Sequence, residues 1–229
     1  MKKTKHCFKL FNLRTKIKTG RYLCDEEQKL MFELPNLKKL FSIYVKKFRL
    51  HEEAEFMILD HPMAEDLLNI YVRHWGLYEL TELKMLEHPR VKEFLKMYLQ
   101  KYCLHDNAEV KMLEHPQAKE LFEIYIKTSS LSNIAESKML EHPKSEELLT
   151  MYVKEYALEC EGELKIFDCK NAEKLFDIYV SDISLCVDAQ LKMLDHPKAE
   201  DFVTKYLLCS HRLCDEASDK WRKMQKTGN

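Results

Sequence analysis

The chain has 229 residues, 45% of them hydrophobic, with 37 basic against 38 acidic residues and only 4 glycines and 6 prolines. So few chain breakers exclude a mainly β protein, and no run approaches the roughly 18–20 apolar residues of a membrane helix. Residues 1–24 carry eight basic residues and no acid, leaving 29 basic against 38 acidic residues beyond them, a net −9 that is unlike a phosphate-binding surface.

Residues 1–23 read as a degenerate half-repeat. Leu10, Leu13 and Ile17 keep helical spacing, and Leu13, Arg14, Lys16 and Ile17 align one period back from Leu40, Phe41, Ile43 and Tyr44. The segment is expected to cap the array on its apolar side; the alternative is a basic arm for anionic lipid or nucleic acid.

The period itself is set by proline. Pro35, Pro62, Pro89, Pro116 and Pro143 fall 27 residues apart, Lys170 stands at the next position, and Pro197 resumes the series. A tyrosine follows each anchor by nine residues: Tyr44, Tyr71, Tyr98, Tyr125, Tyr152, Tyr179 and Tyr206. Seven copies, residues 24–50, 51–77, 78–104, 105–131, 132–158, 159–185 and 186–212, therefore form a tandem array.

Each copy reads as two short helices. The first is expected to span about ten residues, with Glu109, Glu136 and Glu163 in its first turn, where negative charge suits the helix dipole. Small residues (Ala54, Ala108, Ala135, Ala189) face bulky ones (Met31, Ile58, Met85, Met112, Met139, Ile166, Met193). The His-Pro pair is the joint: proline disfavours helix in the residue before it and tolerates the first turn of the helix after it. The second helix is expected to run about twelve to fourteen residues; in the fourth copy Ala118, Leu121, Phe122, Tyr125 and Ile126 make one apolar stripe. The tyrosine hydroxyls are expected to find partners at the stripe's edge. A leucine (Leu50, Leu77, Leu104, Leu131, Leu158, Leu185) closes each of the first six copies. Helices this short cannot stand alone, so each copy must cover its neighbour's apolar stripe. The fold expected is all-α: a right-handed α-solenoid of seven 27-residue repeats over residues 24–212, with residues 213–229 as a C-terminal capping helix.

Chemistry is sparse. His61, His88, His115, His142 and His196 lie one or two repeats apart, so their backbones are expected about 10 Å or more apart with side chains pointing the same way, and they cannot all share a metal ion; each is expected to end its helix and bond a carbonyl. Cys209-x-His211-x-x-Cys214 lacks a second ligand pair, and the paired acids Glu146-Glu147 read as solvated. No nucleophile elbow or phosphate loop is present, so neither metal, cofactor nor enzymatic activity is expected. Of the cysteines within the seven copies only Cys24 and Cys186 share a repeat position, which argues against a repeated disulfide framework and for a reducing compartment, with the cytoplasm as the expected location.

The positions that vary lie on the second helix's polar face: Ser42, Asn69, Lys96, Glu123, Thr150, Asp177 and Thr204, and one turn on Lys46, Arg73, Gln100, Lys127, Lys154, Ser181 and Leu208. A fixed framework with a changing face suits partner recognition, and equally suits drift on a solvated surface. Over its whole length the chain resembles, in architecture, the α-solenoid class that includes tetratricopeptide, HEAT and armadillo repeats, although 27 residues is shorter than the periods of about 34–47 of those families. That resemblance implies a curved surface that binds a protein or peptide, as a monomer or with end-to-end association. Partner contact is assigned to Ser42, Asn69, Lys96, Glu123, Thr150, Asp177, Thr204, Arg73, Gln100, Lys127 and Lys154. Nucleic-acid binding through the basic N-terminus is the alternative.

Overall fold

The computed structural model describes residues 2–227, with side chains from residue 9 to 226; the side chains of Lys2, Lys3, Lys5 and Cys7, and residues 228–229, lie outside the described part. The described residues form sixteen α-helices and no strand. None of these helices is long and apolar enough to cross a membrane. The backbone makes two compact units, Met1–Lys111 and Met112–Asn229.

The first unit holds α1 (Lys2–Lys18), α2 (Asp25–Met31), α3 (Leu37–Val45), α4 (Glu52–Asp60), α5 (Ala64–Tyr71), α6 (Glu79–Glu87) and α7 (Val91–Tyr98), and the division falls within α8 (Asp106–Glu114). Here α2, α4 and α6 pack side by side in one row, while α1, α3, α5 and α7 make a second. The second unit continues with α9 (Ala118–Tyr125), α10 (Asn133–Glu141), α11 (Ser145–Tyr152), α12 (Cys160–Ile166), α13 (Ala172–Val180), α14 (Val187–Asp195), α15 (Ala199–Leu208) and α16 (Asp215–Thr227). Its rows are α10, α12, α14 and α16 against α9, α11, α13 and α15. Between the rows of each unit lies the core: the alanines, the Met/Ile column, the closing leucines and every column tyrosine are buried. Each large apolar side chain removed from water contributes about 1.5–3 kcal/mol, which helices this short require.

The helices are shorter than the sequence suggested. Second helices run 8–10 residues because proline does not enter their first turn. The histidine before it is extended (His88 φ −74°, ψ 140°), and proline and the residue after it form a turn, so the helix starts two residues beyond proline. The histidines do end the first helices at His61, His88, His142 and His196. Their expected bond to a carbonyl is corrected, however. Nδ1 of His61, His88, His115, His142 and His196 accepts the backbone N–H two residues on, at 3.0–3.1 Å. That N–H lies at the free amino end of the coming helix, so the ring serves as its cap. Cys169 has no such ring; its thiol donates to the carbonyls of Lys165 (3.3 Å) and Leu140 (3.7 Å).

Acids at the ends of five first helices, unfavourable by the helix dipole, pair with lysines one hairpin on. Asp60 meets Lys84 (2.5 Å) and Glu87 meets Lys111 (3.2 Å) in the first unit; Glu114 meets Lys138 (2.7 Å), Glu141 meets Lys165 (2.6 Å) and Asp168 meets Lys192 (2.7 Å) in the second. These pairs are solvated and contribute little each.

An acceptor ring must be neutral. Burial, followed by the nearby Arg90 or Lys144 charge, holds His88 and His142 below the ordinary imidazole value. Their unfolded forms therefore bind protons first, so the stability they carry is present above about pH 6.5 and is lost as the pH falls through that value. His142→Ala is expected to lower stability by about 1 kcal/mol at pH 7.5, and His142→Asn, whose side-chain oxygen accepts the same N–H at any pH, to restore most of it. Urea midpoints measured between pH 5.5 and 7.5 test both, the double variant His88→Asn/His142→Asn losing less stability in acid than the unmodified chain.

Candidate functional site

What positions the outer face is a buried polar tie repeated from hairpin to hairpin. Glu55, Glu82, Glu136 and Glu163 sit in the first turns of α4, α6, α10 and α12 and are 0–4% exposed. Glu136 and Glu163 stand in the first turns where the sequence placed them, and the structure adds that all four side chains point inward. One carboxylate oxygen accepts the tyrosine hydroxyl of its own hairpin: Tyr71 on Glu55 (2.6 Å), Tyr98 on Glu82 (2.6 Å), Tyr152 on Glu136 (2.9 Å) and Tyr179 on Glu163 (2.7 Å). The other accepts the N–H of the residue that opens the next hairpin: Tyr78 (2.8 Å), His105 (2.8 Å), Glu159 (3.0 Å) and Cys186 (2.6 Å). The tyrosine in turn accepts the N–H of the leucine closing the preceding hairpin, as Tyr98 does from Leu77 (3.3 Å) and Tyr152 from Leu131 (3.1 Å). One glutamate and one tyrosine thus tie three consecutive copies, and the hydroxyls lie in the core, not at its edge.

In the first and seventh copies the glutamate is replaced by Gln28 and Gln190. Their carbonyl oxygens accept from His51 (3.0 Å) and Cys214 (2.7 Å), and their amides donate to the Leu23 and Leu185 carbonyls at 3.1 and 2.9 Å. The geometry is kept with no buried charge.

Burial dominates the electrostatics of the tie. It pushes Glu55 and Glu82 above the ordinary carboxylate value against the hydrogen bonds that lower them, and it pushes Glu136 up to about 7, with Glu159 and Glu163 adding to the rise. Burial, then the facing glutamate, keeps the Tyr71 and Tyr98 phenols protonated well beyond the ordinary range.

On this frame the residues assigned to partner contact come to the surface. Asn69, Arg73, Lys96 and Gln100 are exposed in the first unit and Ser42 half-buried; Glu123, Lys127, Thr150, Lys154, Asp177 and Thr204 are exposed in the second. Because α3, α5 and α7 lie side by side, Ser42, Asn69 and Lys96 stand at equal register on one face; Glu123, Thr150, Asp177 and Thr204 do the same on α9, α11, α13 and α15. Some already have partners within the chain: Glu123 with Lys127 (3.3 Å), Asp177 with Lys205 (2.7 Å), and the Thr150 hydroxyl with the Glu146 carbonyl (2.6 Å).

The sequence missed a concavity beside Ser42. A cleft of about 700 Å³ between α1, α3 and α5 is lined by Arg14, Lys18, Asn36, Lys38, Lys39, Leu40, Ser42, Ile43 and Ile70. Asn36 opens α3 in the left-handed conformation (φ 67°), and Lys38 pairs with Asp66 (2.8 Å). The signal was partly visible as the acid-free first 24 residues, but that Lys38 and Lys39 join Arg14 and Lys18 follows only from the packing of α1 on α3. Among the described residues no group of three His, Cys, Asp or Glu is placed to hold a metal ion. Comparison of the chain with protein-family models, with curated proteins and with solved structures gave no match.

The raised Glu136 value gives a pH signature of the tie. A carboxyl that holds its proton more tightly when folded contributes stability that falls as the pH rises from its unfolded value of 4.5 to about 7. Over that window Glu136→Gln is expected to gain on the unmodified chain by up to roughly 3 kcal/mol, whereas Glu136→Ala, which strands the Tyr152 hydroxyl and the Glu159 N–H, costs at least about 2 kcal/mol at every pH. Denaturation of the three proteins at pH 4.5, 6 and 7.5 checks the crossing.

Proposed function

We propose that the chain is a non-enzymatic scaffold that binds an extended protein segment along the exposed face of its second helices. On this reading each unit is a run of a right-handed α-solenoid, and the sequence carries seven copies of its 27-residue repeat. The equal register of Ser42, Asn69 and Lys96 on a row of parallel helices supports the reading, since an extended partner would meet one side chain per hairpin. So does the division of labour along the sequence, with the tying tyrosine held constant, its buried partner kept to glutamate or glutamine, and this face varied.

The observation that carries the proposal furthest is the cleft between α1, α3 and α5, where Arg14, Lys18, Lys38 and Lys39 surround Ile43 and Ile70. Lys38 is paired with Asp66, and the other three cations around two half-buried isoleucines suit an acidic segment with an apolar anchor: charge steers the encounter and the apolar contact holds it. The same cations favour the second reading, a nucleic-acid strand, against which the net −9 of the chain beyond residue 24 weighs.

Fluorescence anisotropy of the full chain with labelled acidic peptides, each with one aromatic or leucine anchor, and with single-stranded DNA and RNA of equal length separates the two. The expected result is peptide binding that Lys18→Glu/Lys39→Glu weakens about tenfold or more, a loss of about 1.4 kcal/mol. Tighter binding of oligonucleotides with a steep salt dependence, or peptide binding indifferent to the charge reversal, overturns the reading.

A further inference from the structure

Cys160 opens α12 and Cys186 caps the start of α14, the next helix in the same row of the second unit. They occupy different repeat positions, so their 26-residue separation gives no hint of pairing, yet the structure brings their sulfurs to 2.6 Å. That is well inside the contact distance of two thiols and close to the roughly 2.05 Å of a covalent S–S bond. Both residues are half-buried, with Cys160 also 3.9 Å from the Asp188 carboxylate. Cys24, Cys103 and Cys209 are by contrast exposed. We infer that Cys160 and Cys186 are an oxidisable dithiol, a modification site at which a low-molecular-weight disulfide forms a covalent bridge between the sixth and seventh hairpins.

The chemistry assigns the two sulfurs different parts. Burial, then contact with Cys160, pushes the Cys186 thiol up to about 12, so it keeps its proton at neutral pH and Cys160 is the attacking group. The Cys160 thiolate attacks one sulfur of the small disulfide, whose S–S bond breaks and releases one thiolate that takes up a proton. Cys186, already in contact, then attacks the Cys160 sulfur of the mixed disulfide. It gives its proton to the departing thiolate, and the second small thiol leaves. Two protein thiols are oxidised and one small disulfide is reduced to two thiols. The bridge forms beside the buried tie, because the Cys186 N–H donates to Glu163 at 2.6 Å. Oxidation therefore makes covalent a junction that hydrogen bonds alone hold in the reduced chain.

The test uses the full-length protein, reduced, then equilibrated with excess oxidised glutathione, alkylated and digested with trypsin without reduction. Cleavage after lysine puts Cys160 in residues 155–165 and Cys186 in residues 175–192, with no other cysteine in either peptide. The expected product is these two peptides joined, about 2 Da lighter than their sum, together with a higher melting temperature that dithiothreitol reverses and that Cys160→Ser abolishes. Recovery of the two peptides as separate species, alkylated or each carrying glutathione, overturns the inference. So does a bridge from Cys186 to any other cysteine, or one that persists in Cys160→Ser.

Discussion

The structure depends on a carboxylate held out of water. A buried charge is tolerable only where hydrogen bonds replace its hydration, and each glutamate of the column receives one from a tyrosine hydroxyl and one from a backbone N–H. The donors come from different hairpins, so meeting the charge's needs fixes the stacking of one copy on the next. An apolar stripe alone would permit small slips along the row, whereas a carboxylate with two designated donors does not. The raised Glu136 value shows how closely balanced the arrangement is: burial outweighs the hydrogen bonds, and the group titrates near neutrality.

Gln28 and Gln190 show which feature of the tie matters. An amide keeps the acceptor for the next hairpin's N–H and adds a donor for the carbonyl of the closing leucine, while bearing no charge to desolvate. Shape and hydrogen bonding carry the register, and the charge is dispensable. The His-Pro joint works on the same principle at smaller scale. Proline imposes the extended residue before it, and the ring that residue carries meets a backbone donor that the sharp turn leaves free.

Because the register is fixed inside, the outside is released. The Lys–acid pairs along the first-helix rows and the pairs around Asp177 and Glu123 are solvated and worth little individually. Residues on the second-helix face can therefore change without endangering the fold, which is the condition for a surface that recognises a partner. The basic cleft against α1 differs from the rest of that face in combining concavity, charge and half-buried isoleucines.

The sequence by itself determined the all-α class, the 27-residue period, the place of each joint and the identity of the apolar core, since periodicity and proline sterics act locally and repeat. It placed Glu136 and Glu163 in the first turns of their helices, where they are found, but left their direction open, because an acid in a helix's first turn satisfies the dipole rule whichever way it points, and only the neighbouring hairpin decides that Glu55, Glu82, Glu136 and Glu163 face inward. It gave the histidine column the right location and the wrong bond, since the ring's partner lies across a turn whose geometry is not written in composition. The meeting of Cys160 with Cys186, and of Lys38 and Lys39 with Arg14 and Lys18, was decided by tertiary structure alone. Each joins residues of different repeat positions on neighbouring helices, and a linear pattern records positions within the repeat, not which side chains two packed helices bring face to face.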